Sequence, residues 1–248
     1  MMLKKWEDIP LMMQNPEVKK YYEMLSRKQV SLVLKRVFDL FVALMLLIIL
    51  ALPMLIIGVV IALDSPGGVF YRQVRVTTYG KEFRIHKFRT MVANADKVGS
   101  LVTIGKDNRI TKVGAFLRKY RLDELPQLLD VLNGTMSFVG TRPEVTKYVE
   151  RYSDEMKATL LLPAGITSEA SIRYKDEAEL LSGGDDIDEV YVREVLAEKM
   201  KYNLWAIENF SFLGDILTML RTIFAVLGKD YSSEKVMTSI RKEGEHAN

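Results

Sequence analysis

One stretch limits what this chain can fold into more than any other. From Leu40 to Leu63 there are 24 consecutive residues without a charge, LFVALMLLIILALPMLIIGVVIAL. As a straight helix it would reach roughly 36 Å, enough to cross a hydrocarbon core of about 30 Å. No face of it is polar, so it does not read as an amphipathic helix covering a soluble core. It is too long and too far from the start for a secretory signal, and no small-residue cleavage site follows it. A polytopic transporter needs several such runs, and this is the single one in the sequence. Pro53, near its centre, removes one backbone hydrogen bond and kinks the helix. The flanks are basic on both sides, with Lys19, Lys20, Arg27, Lys28, Lys35 and Arg36 before the run and Arg72, Arg75, Lys81, Arg84 and Lys87 after it. Basic flanks stay cytoplasmic, so a simple span strands one cluster, whereas a re-entrant hairpin bent at Pro53 keeps both on one side. The charges favour the hairpin.

Composition narrows the chemistry. The 248 residues can hold one large domain or two small ones, and 35 Lys plus Arg against 32 Asp plus Glu leave +3, no basic patch of the nucleic-acid-binding kind. There is no Cys, and His86 and His246 are the only histidines. Disulfides, thiolate zinc sites, cysteine nucleophiles and poly-His metal sites are excluded. An enzyme of this composition works with carboxylates, Lys, Arg and hydroxyls.

Before the run, Asn15-Pro16-Glu17 has the order of a helix start, and a helix to about Leu34 places Val18, Tyr22, Leu25 and Leu32 on one side, as an interfacial helix leading into a membrane. After it, SPGG is a turn, and residues 69–76 and 82–88 read as two short strands around Tyr79-Gly80. Helical patterns follow at about 91–97, 113–120, 124–132 (closed by Asn133-Gly134), 143–161 and 186–208. The charge run from Asp185 to Lys201 reads as a solvated helix face. Leu213, Ile216, Leu217, Leu220, Ile223, Phe224 and Leu227 make an apolar stripe that suits a core or a membrane interface equally, and the last dozen residues read as a disordered tail. The expected fold is mostly α with a small β-hairpin. It is a monotopic membrane protein with a Pro-kinked re-entrant helix and interfacial amphipathic helices. It divides into an N-terminal helix (1–34), the membrane helix-hairpin (35–64), a cytosolic catalytic domain (65–209) and a C-terminal amphipathic helix and tail (210–248).

The densest polar features run from Arg118 to Pro143. Asp123 and Glu124 precede Pro126, which a helix tolerates only in its first turn, so both acids fall at a helix N-terminus whose dipole favours their ionised form. With Arg118 and Arg121 alongside, such a carboxylate suits attack on phosphorus or Mg²⁺ binding; it is equally the pattern of an ordinary acidic helix cap. Arg72, Arg75, Arg84, Lys87, Arg89, Arg109, Lys112 and Arg142 alternate with Gly and Pro as anion-binding loops do, which points to a diphosphate ligand, although no GxxxxGK[ST] or GxGxxG is present.

In order, KRVFD, SPGGVFYRQVRV, KFRTM, DNRITKVGAFLRKYRLDELPQLLDVLNGTMSFVGTRPE and LLPAGIT, from about Lys35 to Tyr174, resemble the bacterial sugar transferase family, the monotopic phosphoglycosyl transferases that start glycan assembly on polyprenyl phosphate. LDELPQ followed by SFVGTRP is the specific part. The resemblance implies that Pro53 bends a re-entrant helix, with Leu52 where relatives often have Ser. It implies that Asp123 is the nucleophile on the sugar-linked phosphate of a UDP-sugar, releasing UMP and keeping a phosphosugar on the carboxylate until polyprenyl phosphate takes it. Glu124 would help hold Mg²⁺, and Arg142 would lie near the nucleotide. Arg89 joins the site, as do Lys87, Arg109, Arg118 and Arg121, while Lys35, Arg36 and Asp39 stand near the membrane and lipid phosphate. The same resemblance implies a chain facing the cytoplasm at the bacterial inner membrane, a minimal form without the multi-span region of some relatives, and allows a homodimer. SEASIRYKDEAELL departs from the family's GWAQV-like stretch, which leaves acceptor and sugar preference open. Two other readings stand beside it: a non-catalytic membrane-surface scaffold of a glycan assembly complex and a Mg²⁺-dependent phosphohydrolase.

Overall fold

The computed structural model describes residues 2–95, 107–174 and 187–227; the polar tail expected at the C-terminus lies outside them. Two 3₁₀ turns, Trp6–Asp8 and Leu11–Met13, lead into α1 (Pro16–Ser26). It starts as its sequence dictates, with the Asn15 side chain accepting from the Val18 N–H at 2.8 Å. It does not run on to Leu34. The chain turns at Arg27-Lys28, where the Lys28 ammonium donates to the carbonyls of Glu208 and Phe210, and restarts as α2 (Gln29–Asp64). Val18, Tyr21 and Leu25 are buried with Ile9 and Met13 in the largest apolar cluster, so α1 is a core element rather than an interfacial helix.

The apolar run lies within α2, helical throughout 36 residues with Pro53 inside it, and is the one described helix long and apolar enough to cross a membrane. Ala43, Leu46, Leu47, Leu50, Met54, Ile57 and Ile61, at 3- and 4-residue steps, face the rest of the protein. Phe41, Ile48, Ile49, Leu52, Leu55 and Leu63 are exposed on other sides. Both ends of α2 are fastened to the same body. At the start, Lys35 lies 2.6 Å from Asp215, and Arg36 donates to the carbonyls of Val131 and Leu132 at 2.7 and 3.2 Å. At the end, Ile61 packs with Phe88 and Leu117, and Arg89 donates to the carbonyls of Ile61, Ser65 and Pro66.

The expected hairpin is present: β1 (Phe70–Val76) pairs antiparallel with β2 (Glu82–Phe88), from Phe70 opposite Phe88 to Val76 opposite Glu82, around a turn with Tyr79 and Gly80 at positive φ. The helix expected at 91–97 is absent from its described part. Met91 bridges to Ile110, the Val92 N–H donates to the Arg109 carbonyl, and Asn94 turns at φ 63°, so pairing to a distant segment overrides the local preference. Helix α3 (Lys112–Lys119) is capped by Thr111, and α4 (Gln127–Asn133) closes on Gly134 at φ 83°.

A second, parallel sheet of β3 (Met136–Val139) and β4 (Ala164–Thr167) has no counterpart in the sequence reading; four-residue strands are too short to display a period. Their ends meet at Gly140 and Gly165, whose backbones approach so closely that a Cβ on Gly165 would stand 2.2 Å from the nitrogen and oxygen of Gly140. The single helix expected at 143–161 is instead α5 (Thr146–Val149) and a 3₁₀ segment, Met156–Leu161. The break lets Tyr148, Tyr152, Leu160 and Leu161 all reach the largest cluster.

Beyond α6 (Glu169–Arg173), the helix expected at 186–208 comprises α7 (Ile187–Val190), a π-helical segment (Tyr191–Leu196) and α8 (Ala197–Glu208). Its charge run is only partly a solvated face: Glu189, Arg193, Glu194 and Glu198 are exposed, but Tyr191, Lys199 and Met200 are buried, and Glu189 pairs with Arg151 at 2.8 Å. In α9 (Phe212–Val226) the polar residues turn inward, Asp215 to Lys35 and Arg221 to Glu169 at 2.6 Å, while Leu213, Leu217, Leu220 and Ile223 are exposed. Of the two roles open to this stripe, covering a core is the one the packing rules out.

Gly165→Ala is expected to force the β3–β4 ends apart and cost about 1–3 kcal/mol or more. A thermal midpoint within error of wild type would contradict the close approach.

Candidate active site

The hairpin, the α3–α4 turn and the loop after β3 converge on one cleft of about 1440 Å³. Arg121 occupies the left-handed region at φ 56°, unusual for a side chain with a Cβ, and this sharp turn starts the 3₁₀ segment Leu122–Glu124. Pro126 then precedes α4 as its cap residue, so the two acids lie in the 3₁₀ turn ahead of the α-helix rather than in its first turn. Asp123 and Glu124 are both buried to 8% exposure.

Their environments differ. Glu124 is gripped by Arg142 through two hydrogen bonds (2.5 and 3.3 Å) and by Lys87 at 3.0 Å, with Arg121 at 3.8 Å. Burial would raise its carboxyl, but Arg142 and Lys87 outweigh this and hold it well below the usual range. Asp123 Oδ1 is buried with no hydrogen-bond partner among the described residues. Burial pushes this carboxyl up, against the pull of Lys87, and the charge of Glu124 adds to the push. A capping acid would spend its oxygens on backbone N–H groups, so the orphaned Oδ1 separates Asp123 from an ordinary helix cap. The helix dipole expected to keep both acids ionised alike is outweighed by burial and by the placing of the cations.

The other expected site residues divide between the cleft and its supports. Lys87, Arg118, Arg121 and Arg142 border the cleft with the two acids. Arg89 also borders it, but its Nη atoms donate to the carbonyls that end α2, the contacts of a helix C-cap. Arg109 pairs bidentately with Asp107 (2.6 and 2.9 Å) and donates to the Ala95 carbonyl. Lys35, Arg36 and Asp39 sit at the start of α2, with Asp39 accepting from Ser137 at 2.7 Å. Pro53 lies on the exposed side of α2.

Sequence reasoning missed Glu144, Tyr191 and Lys199, which border the cleft and bond to one another. A signal was there: Tyr191, Val195, Lys199, Asn203 and Ile207 recur at four-residue steps through the charge run. His86 is turned to Asp130 at 2.7 Å. No group of three acidic or histidine side chains converges among the described residues. A Mg²⁺ here would therefore rest on Glu124 with diphosphate and water, the hard-oxygen shell that ion prefers, beside the partnerless Oδ1 of Asp123.

A buried acid pair in a cleft edged by Lys and Arg, beside a long apolar helix, is an arrangement suited to phosphoryl transfer. Comparison with known sequences agrees: the model of the bacterial sugar transferase family matches residues 30–229, and the chain belongs to that family. A Bacillus subtilis protein provisionally named as an undecaprenyl-phosphate N-acetylgalactosaminyl 1-phosphate transferase is 41% identical over 150 residues, 60% of this chain and 82% of that protein. The UDP-N-acetylgalactosamine-undecaprenyl-phosphate N-acetylgalactosaminephosphotransferase of Aeromonas hydrophila is 33% identical, over 78% of this chain and 44% of its own. The UDP-glucose:undecaprenyl-phosphate glucose-1-phosphate transferase of Escherichia coli is 34% identical, over 79% of this chain and 40% of its own. The chain thus spans less than half the length of the latter two.

The carboxyl of Asp123 lies higher in the folded than in the unfolded protein, so the folded state binds its proton more tightly. That stabilisation is present at acid pH and lost as pH rises through the folded value, which makes the ionised Asp123 a cost at pH 7. Asp123→Asn is expected to raise the thermal midpoint at pH 7, with the gain shrinking as pH falls through the raised folded value and gone below about pH 4. Glu124 has the opposite sign: its lowered value contributes stability above the ordinary carboxylate range, lost as pH falls, so Glu124→Gln is expected to lower the midpoint at pH 7. Equal midpoints for both variants would refute the asymmetry.

Proposed function

We propose that the chain transfers a sugar 1-phosphate from a UDP-sugar to undecaprenyl phosphate and releases UMP. The observation that carries this reading is the buried, partnerless Oδ1 of Asp123 beside a cation-gripped Glu124. The ionised Asp123 attacks the phosphorus that bears the sugar; an O–P bond forms to the carboxylate and the bond to UMP breaks. An oxygen of undecaprenyl phosphate then attacks the same phosphorus and the Asp123 carboxylate leaves, giving the lipid-diphosphate-sugar. Dividing the transfer into two displacements is what a carboxylate nucleophile offers. Arg142, Lys87 and Arg121 hold Glu124 and supply positive charge for the diphosphate, and Arg118 stands beside Asp123. Mg²⁺, held by Glu124 with diphosphate oxygens, would offset charge on the transferred group. The names of the relatives support donor and acceptor class; the sugar they name differs from one to another.

UMP release from a panel of UDP-sugars in the presence of undecaprenyl phosphate and Mg²⁺ tests this. Asp123→Asn is expected to reduce it by at least about a thousandfold, the scale of losing a nucleophile. Release that survives in the variant would exclude the aspartyl intermediate, and glycan production independent of Asp123 would favour a scaffold.

The same reading includes α2 as a re-entrant helix bent at Pro53 that dips into one leaflet of the cytoplasmic membrane, with the cleft on the cytoplasmic side. Arg36 and Ile61 are about 37 Å apart along a straight helix, yet each is fastened to the same globular body. A helix crossing the bilayer would carry one of them to the far side. The outward apolar faces of α2 and α9, joined where Phe38 meets Phe212 edge-on at 5.6 Å, give one surface for lipid. The chain has no cysteine of its own, so single Val30→Cys and Gly68→Cys variants can be labelled in sealed vesicles. Both are expected to react from the same side; labelling from opposite sides would make α2 a span.

A further inference from the structure

A second buried charge cluster borders the cleft, and its Tyr191 and Lys199 lie outside every quoted motif. Glu144 accepts from the Tyr191 hydroxyl at 2.6 Å, and Lys199 lies 3.5 Å from the same carboxylate oxygen while donating to the Tyr191 oxygen at 3.0 Å. Arg75 approaches the other oxygen of Glu144 at 3.8 Å and donates to the Pro143 carbonyl at 3.1 Å. Glu144 and Lys199 are nearly inaccessible, at 6% and 4% exposure. Tyr191 begins the π-helical segment, a widening often found at functional sites, and packs on Tyr148 with ring centroids 4.8 Å apart. Glu144 stands two residues after Arg142, whose charge reaches it. Burial would neutralise Glu144, but Lys199 and Arg75 outweigh it and keep the carboxylate charged.

We propose that Lys199, with Tyr191, is a positioning residue for donor binding: by balancing the charge of Glu144 it leaves the field of Arg142 directed at Glu124 and the donor diphosphate. This rests on the transferase reading above. The physical ground is that a buried carboxylate must be balanced by something. Arg75 is the more distant of its partners, and the cation two residues away is Arg142. Without Lys199 the charge of Glu144 falls on Arg75, at 3.8 Å, and on Arg142, and the diphosphate then competes with it for Arg142.

The test is steady-state kinetics of UMP release with separately varied UDP-sugar and undecaprenyl phosphate. Lys199→Met is expected to raise KM for the UDP-sugar on the order of tenfold, a 1.4 kcal/mol change by the usual conversion, and to leave KM for the lipid within about twofold of wild type. Lys199→Arg keeps the charge and is expected to recover most of the loss. Combining Lys199→Met with Glu144→Gln removes the charge along with its partner, and the pair is expected to bind donor better than Lys199→Met alone. An unchanged donor KM in Lys199→Met, or a double variant no better than the single one, overturns the proposal. If Lys199→Met does not fold, Tyr191→Phe deletes only the hydroxyl and carries the test, with a raised donor KM expected and an unchanged one overturning it. A wild-type chain that releases no UMP from any UDP-sugar would refute the transferase reading instead. The charge balance is then read from thermal unfolding, where the double variant must be more stable than Lys199→Met for the balance to stand.

Discussion

The structure turns on the grip of three cations on Glu124. Lys87 comes from β2, Arg121 from the strained turn after α3, and Arg142 from the loop after β3, so one carboxylate ties together three separate stretches of chain. A buried carboxylate needs such partners, because desolvation would otherwise drive it neutral. Asp123, one residue earlier, pays the same desolvation, and its Oδ1 meets no donor among the described residues. Two adjacent residues of like charge are thereby given opposite electrostatic fates, one held as a fixed anion and the other kept as a high-energy group open to the cleft. Sites that must react keep such destabilised groups at the expense of stability.

A comparable division governs the membrane side. Two arginines work as caps: Arg36 on α4 and Arg89 on α2, each donating to backbone carbonyls at the end of the helix. These two residues fix the start and end of α2 to the catalytic body, and the Lys35–Asp215 pair fixes α9 beside it. The cleft is therefore held against the apolar surface at several points.

The Asn15 cap, the β1–β2 hairpin with its Tyr79-Gly80 turn, the helix α3 and the Gly134 stop of α4 were all legible in the sequence because each rests on a few adjacent residues. The breaks at Arg27-Lys28 and after Val149 were not, since local helix preference continues across them and only the need to bring Tyr21, Tyr152 and Leu161 to one cluster decides them. The strands β3 and β4 were hidden by their shortness. In the site, Asp123, Glu124 and Arg142 could be picked out by motif, whereas Lys199 looked like one more charge in a solvated run.

The sequence alone determined the membrane-seeking run, the absence of thiol and poly-histidine chemistry, and the acid pair, because hydrophobicity, composition and adjacency are properties of the chain itself. Only the tertiary structure decided which carboxylate is held by cations and which keeps an oxygen without a hydrogen-bond partner among the described residues, and which arginines face the cleft and which cap helices. It also decided that α9 turns its polar side inward. Those outcomes depend on distances between residues far apart in the chain, and a buried charge is stabilised or destabilised by whatever folding brings within a few ångströms of it.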